Sequence, residues 1–130
     1  VRAGCSDCHL PHDNWFDLVW TKAVVSLDII PELAGKLDTA EKYEEHRAEM
    51  AESVWREFKE NDSRFCRSCH SIDAMDLENQ ERRTARQHSR AEENGETCID
   101  CHYGIVHVEP ENATEIIERL QEEFAAEETD

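Results

Sequence analysis

At 130 residues the chain is about one domain long, and with 38% hydrophobic but only 7% aromatic residues its side chains alone build a thin core. A chain this short leans on disulfides, metals or cofactors for stability. The formal net charge of −17 argues against nucleic acid as a partner and against docking on anionic lipid, and favours a basic partner or a salty environment.

In chain order, the first feature is Cys5-Ser6-Asp7-Cys8-His9, followed at once by Leu10-Pro11-His12. Residues 13–30 then carry Trp15, Phe16, Val19, Trp20, Ala23, Val24 and Leu27 at helical spacing, and Pro31 is expected to end that helix. Asp38-Thr39-Ala40-Glu41 reads as a capping box opening a long charged helix to residue 61, with Tyr43, Met50, Val54, Trp55 and Phe58 as its inward stripe. Cys66-Arg67-Ser68-Cys69-His70 follows. Residues 76–94 read as a third long helix, closed by Gly95 and carrying His88. After Cys98-Ile99-Asp100-Cys101-His102 and His107, Asn112-Ala113-Thr114-Glu115 caps a last helix with Ile116, Ile117, Leu120 and Phe124 on one face. The chain ends in Glu127-Glu128-Thr129-Asp130, an acidic tail whose ordinary role is solvation. No segment reads convincingly as a strand. No apolar run is long enough to span a bilayer, since Asp17, Lys22, Asp28 and Glu32 interrupt the longest ones. Val1 is not a start methionine, which suggests a removed leader or a longer protein upstream.

All six cysteines fall in C-x-x-C pairs, and a histidine follows each pair directly. This is the pattern of covalent c-type haem attachment. Cys5 and Cys8, Cys66 and Cys69, and Cys98 and Cys101 would each add across the vinyl groups of one porphyrin. His9, His70 and His102 would then lie beneath the rings as proximal iron ligands. Structural zinc would use two pairs, strand the third and leave the histidines unexplained. A disulfide framework leaves the same histidines unexplained, and a thioredoxin-like motif needs a strand-helix-strand setting that is not here. Three covalent haems c are therefore expected, matured on the oxidising side of a membrane, in a bacterium the periplasm.

Four histidines remain: His12, His46, His88 and His107. His12, His88 and His107 are the candidate distal ligands, whereas His46, in the charged run Glu44-Glu45-His46-Arg47, reads as a solvated surface residue. Met50 and Met75 read as core residues. His107 comes only five residues after His102, so its backbone leaves from the same edge of the ring. Extended chain covers about 3.5 Å per residue, so circling the porphyrin would pull the intervening residues taut. His107 is therefore expected on a different haem, most readily the one held by Cys5 and Cys8, and the same reasoning applies to His12.

Residues 66–110 resemble the C-terminal half of the NapC/NirT family of membrane-anchored multihaem quinol dehydrogenases. The matching pieces are Cys66-Arg67-Ser68-Cys69-His70-Ser71, Met75-Asp76, Gln87-His88, and the run from Gly95-Glu96-Thr97-Cys98 through Cys101-His102-Tyr103-Gly104 to His107. Cys5 to His12 and Arg47-Ala48-Glu49-Met50-Ala51 leading to Trp55 also match. The resemblance implies an electron relay from a membrane quinol pool to a periplasmic reductase. It also implies that an N-terminal anchor, a first haem motif and the quinol-contacting region lie upstream of this chain.

The expected fold is mostly α, with helices and loops wrapped around three haems and little or no strand. Residues 1–110 form a triheme NapC/NirT-like domain, and residues 111–130 form an acidic C-terminal helix and tail. The expected partners are redox proteins with a basic docking surface, with the quinol pool reached through the upstream region. Two other readings are a soluble periplasmic triheme shuttle or storage module with a non-quinol donor, and a catalytic haem protein with one open iron position.

Overall fold

A computed structural model describes residues 2–127, and all regular structure among them is helical. The mostly α expectation is met. Val1 and the end of the acidic tail, Glu128, Thr129 and Asp130, lie outside the described residues. The chain divides into two compact units, Val1–Met50 and Ala51–Asp130.

In the first unit, α1 (Cys5–His9) is a single helical turn held by the Gly4 N–H, which donates to Asp7 Oδ2 at 2.7 Å. Asn14 caps α2 (Trp15–Val25), its Oδ1 accepting from the Phe16 N–H at 2.9 Å. Pro31 does not end this helix as expected: α2 stops at Val25, a 3₁₀ turn covers Ser26–Asp28, and α3 (Ile29–Leu33) contains the proline. The Ser26 hydroxyl donates to the Lys22 carbonyl at 2.6 Å, where a side chain competes with the helical backbone. Pro31 sits in the first turn of α3, where an N–H would lack a helical partner anyway. Gly35, at φ 75°, turns the chain, and the Lys42 ammonium ties that turn down by donating to the Gly35 carbonyl and to Asp38 Oδ1, both at 2.6 Å.

The long helix α4 (Ala40–Glu60) starts one residue later than the capping-box reading placed it. Thr39, not Asp38, is the cap, its hydroxyl accepting from the Lys42 N–H at 3.3 Å, while Asp38 pairs with the Lys42 side chain. The expected inward stripe narrows to Trp55, which is buried, with Met50 and Phe58 half-buried; Tyr43 and Val54 are exposed.

The core of the second unit lies around Trp55, Ile99, Ala113, Ile116, Ile117 and Leu120. Trp55 meets the Tyr103 ring at 5.4 Å and Phe58 meets Phe65 at 5.8 Å. Past α4, Asp62 and Ser63 both take left-handed backbone conformations, and the short α5 (Arg64–Arg67) follows. The expected helix over residues 76–94 is shorter: a 3₁₀ turn covers Leu77–Asn79, Gln80 and Glu81 are extended, and α6 runs Arg82–Asn94. Asp76 causes the break, accepting from the Asn79 backbone N–H at 3.3 Å and from its side-chain amide at 2.6 Å. Gly95, at φ 68°, closes α6 as expected, with the Glu96 N–H reaching back to the Ala91 carbonyl at 2.8 Å.

The last helix, α7 (Ala113–Glu127), buries Ile116, Ile117 and Leu120 along the expected face, with Phe124 half-buried. Ion pairs fasten it to α4. Arg119 grips both carboxylate oxygens of Glu52 at 2.8 and 2.7 Å, and Arg56 meets Glu123 at 2.8 Å. No described helix is long and apolar enough to cross a membrane.

Candidate haem-attachment site

Each cysteine pair lies on one tight turn with its histidine. In α1 the three side chains come from five consecutive helical residues. In the second motif the His70 N–H donates to the Cys66 carbonyl at 2.8 Å, and in the third the His102 N–H donates to the Cys98 carbonyl at 2.9 Å. Both thiols and the imidazole therefore leave the same turn of backbone. None of the six cysteines is in a disulfide. This donor set fits covalent haem: two thiols for the vinyl groups and one imidazole for the iron. The thinly covered apolar side chains fit it too. Trp15 and Trp20 on α2 are 67% and 72% exposed, far more than helix residues in a protein core.

The turns are built by residues inside the motifs. Asp7 and Asp100 occupy the same motif position, and each accepts from the N–H three residues before it, Gly4 at 2.7 Å and Thr97 at 2.8 Å. In the second motif Ser68 holds that position and donates to the Phe65 carbonyl at 2.7 Å. The second and third motifs also touch. Fully buried Ser63, which opens the second motif, accepts from the Ile99 N–H at 3.3 Å. The Cys66 thiol hydrogen-bonds the Cys98 sulfur and, helped by Arg67 and Ser63, brings the Cys98 thiol down to about 6. Its partner Cys101 moves the other way, pushed up by burial and by the Glu96 and Asp100 carboxylates.

Asp100 has a second partner, the Lys59 ammonium at 2.5 Å. The pair is nearly closed to water, with 7% of the lysine and 2% of the aspartate side chain exposed. Burial pushes the Asp100 carboxyl up, but the hydrogen bonds from Lys59 and Thr97 outweigh it and leave the group below the usual carboxylate range. The Lys59 ammonium also lies 5.2 Å over the Phe124 ring of α7.

The histidines fall in different settings. His88, half-buried on α6, lies with its ring centre 6.2 Å from that of His102, and its Nδ1 donates to Gln80 Oε1 at 2.8 Å. His12 is exposed, its Nε2 3.5 Å from Asp7 Oδ1. His107 is exposed between exposed Val106 and Val108. His70 lines a cleft of about 450 Å³ together with Asp62, Arg67, Ala91 and Glu92. His46 departs from its solvated reading, since it is half-buried with Nδ1 2.8 Å from the Lys42 carbonyl. A helix interior offers that carbonyl to any side chain one turn on.

Sequence reasoning missed Gln80, Ser63, Lys59 and the two motif aspartates. For the aspartates a signal was present, the repeated Asp-Cys-His ending of the first and third motifs.

Residues 1–112 match the family model of the NapC/NirT cytochrome c family, N-terminal region. The chain is 53% identical over 111 residues to the cytochrome c-type protein TorY of Haemophilus influenzae, covering 85% of this chain and 30% of the relative. It is 46% identical to a putative tetraheme cytochrome-c type protein of Allochromatium vinosum, covering 85% and 59%. To the cytochrome c-type protein NapC of Escherichia coli K12 it is 41% identical, covering 85% and 55%. The chain thus spans from under a third to somewhat over half the length of these curated relatives. No solved structure matches it.

Proposed function

This chain belongs to the NapC/NirT cytochrome c family, whose members hold haem c covalently, and from that premise we propose that it carries three such haems and relays electrons through them. The haems are held by Cys5 and Cys8, Cys66 and Cys69, and Cys98 and Cys101, with His9, His70 and His102 as proximal ligands. His12, His88 and His107 are the distal candidates. The haems supply the redox chemistry; the chain sets their spacing, ligation and electrostatics.

The observation that carries this reading is the pairing of His88 with His102. Two imidazoles sharing one metal sit about 2 Å from it through nitrogen, with ring centres roughly 1 Å further back, which places the centroids about 6 Å apart. The observed separation is 6.2 Å. His88 also has its other ring nitrogen on a carbonyl oxygen, as ligating histidines generally do. An iron held by both imidazoles would change little between redox states, which would suit electron transfer rather than substrate binding.

Electrons enter from a membrane quinol pool and leave to a periplasmic reductase, the membrane anchor belonging to the longer protein. The family match supports electron transfer, and this donor and acceptor follow from the resemblance of the motifs to the membrane-anchored quinol dehydrogenases. A pyridine haemochrome assay with denaturing mass analysis tests the cofactor content: three haems per chain and no free thiol are expected. Fewer haems on fully matured protein overturn the reading. For the relay, full-length protein in membranes should be reduced by a quinol analogue, and failure to reduce it overturns the quinol source.

A further inference from the structure

We propose that Gln80 is a positioning residue for the haem held by Cys98 and Cys101, fixing the ring orientation and donor strength of His88 through its amide oxygen. The proposal rests on the reading that His88 and His102 share that iron.

The geometry begins with the turn before α6. Asp76 folds Leu77–Asn79 into a 3₁₀ turn, and the Gln80 N–H closes it by donating to the Leu77 carbonyl at 3.3 Å. Gln80 is then extended, at φ −83° and ψ 157°, before α6 begins at Arg82. This path brings the Gln80 side chain to His88 in the second turn of α6, eight residues on, where Oε1 accepts from Nδ1 at 2.8 Å. Both residues are half-buried, so water competes weakly for the bond.

The chemistry follows from the donor inventory. A side-chain carbonyl oxygen only accepts, so the proton sits on Nδ1 and the Nε2 lone pair is left for the metal. Donating the Nδ1 hydrogen makes the imidazole a stronger electron donor and stops the ring from turning about its bond to the chain. A stronger axial donor favours the ferric state. Gln80 thereby lowers the potential of this one haem relative to a haem whose distal imidazole lacks an acceptor. The Asp76 turn, which cut the expected helix short, is what puts the acceptor in place.

The experiment is a spectroelectrochemical titration of matured holoprotein, with electron paramagnetic resonance to separate the haems. Gln80→Leu should keep every haem low-spin and raise the reduced-to-oxidised ratio of one haem about tenfold at fixed poise, equivalent to about 59 mV for one electron. Gln80→Glu, which keeps an acceptor and strengthens it, should move the same haem in the opposite direction. A merely structural role for Gln80 would not give opposite signs. A leucine variant that titrates like the wild type overturns the proposal, as do two variants that shift the same way. If the leucine protein fails to mature, the glutamate variant decides alone, and an unchanged or raised potential overturns the proposal. His88→Ala separates the two levels. If it leaves all haems low-spin, the shared-iron reading falls. If it gives a high-spin haem while Gln80→Leu shifts nothing, only the role of Gln80 falls.

Discussion

His88 and His46 both sit on helices with Nδ1 engaged, the first on the Gln80 amide and the second on a backbone carbonyl of its own helix. They differ in what faces the ring, since His88 meets His102 at 6.2 Å. His88→Ala should therefore convert one haem to high spin, whereas His46→Ala should leave the low-spin spectrum intact; absorption and paramagnetic resonance read both. A second residue-scale prediction concerns Lys59 and Asp100. Lys59→Met leaves a buried carboxylate without its cation and should cost about 3 kcal/mol in urea unfolding. The Asp100 carboxyl is held below its ordinary range, so its contribution is fully present above pH about 4 and is lost as the pH falls through the folded value. The unfolding midpoint should drop on acidification below that point, and Asp100→Asn should remove that part of the dependence. At this scale the attachment residues were legible because each motif is five consecutive residues with one chemical reading. Gln80 and Lys59 were not, because their partners lie eight and 41 positions away and no local pattern joins them.

Helices whose ends are set by backbone geometry were easier to read than helices whose ends are set by side chains. Gly95 closes α6 because it alone accepts φ 68° without a Cβ penalty, and a Cβ built there would meet no atom within 4 Å. Gly95→Ala should therefore cost about 1 kcal/mol through backbone conformation alone, and Gly95→Asn less; thermal unfolding of the holoprotein checks both. The apolar face of α7 was equally legible, since Ile116, Ile117 and Leu120 recur at helical spacing and are buried as that spacing requires. Leu120 is fully enclosed, so Leu120→Ala should lose about 3 kcal/mol, the usual order for an unfilled aliphatic site. The misplaced ends of α2 and α6 have one cause. Ser26 and Asp76 bond to nearby backbone and interrupt a periodicity that hydrophobic spacing alone continues. Pro31 misled in the opposite sense, being a breaker only beyond the first helical turn.

For the whole molecule, the all-helical character was legible because long apolar periods of 3.6 were present and alternating ones were not. The thin core was legible from composition: among the described residues the buried hydrophobic core is Trp55, Ile99, Ala113, Ile116, Ile117 and Leu120, while the α2 tryptophans are open. The net charge of −17 is a property of the same scale but is uneven, since α5 and α6 are net basic while α7 carries exposed Glu115, Glu118, Glu122 and Glu127. Charge of one sign guides a basic redox partner during diffusion, and it acts on encounter rate more than on final affinity. Screening shortens its reach to about 8 Å at physiological ionic strength. If the acidic surface steers partners, the second-order rate constant for oxidation by a basic redox protein should fall about tenfold between roughly 10 mM and 150 mM salt. Replacing Glu115, Glu118 and Glu122 together by lysine should lower the low-salt rate and flatten that slope if α7 is the docking face. These residues are exposed and lie outside the three cysteine motifs in sequence, so haem content, measured alongside, should not change and the stopped-flow comparison remains interpretable. A slope unaltered by the triple replacement moves the docking surface off α7. A wild-type rate that is flat with salt assigns the charge to solubility, since steering cannot survive where its field is screened without leaving a trace in the rate.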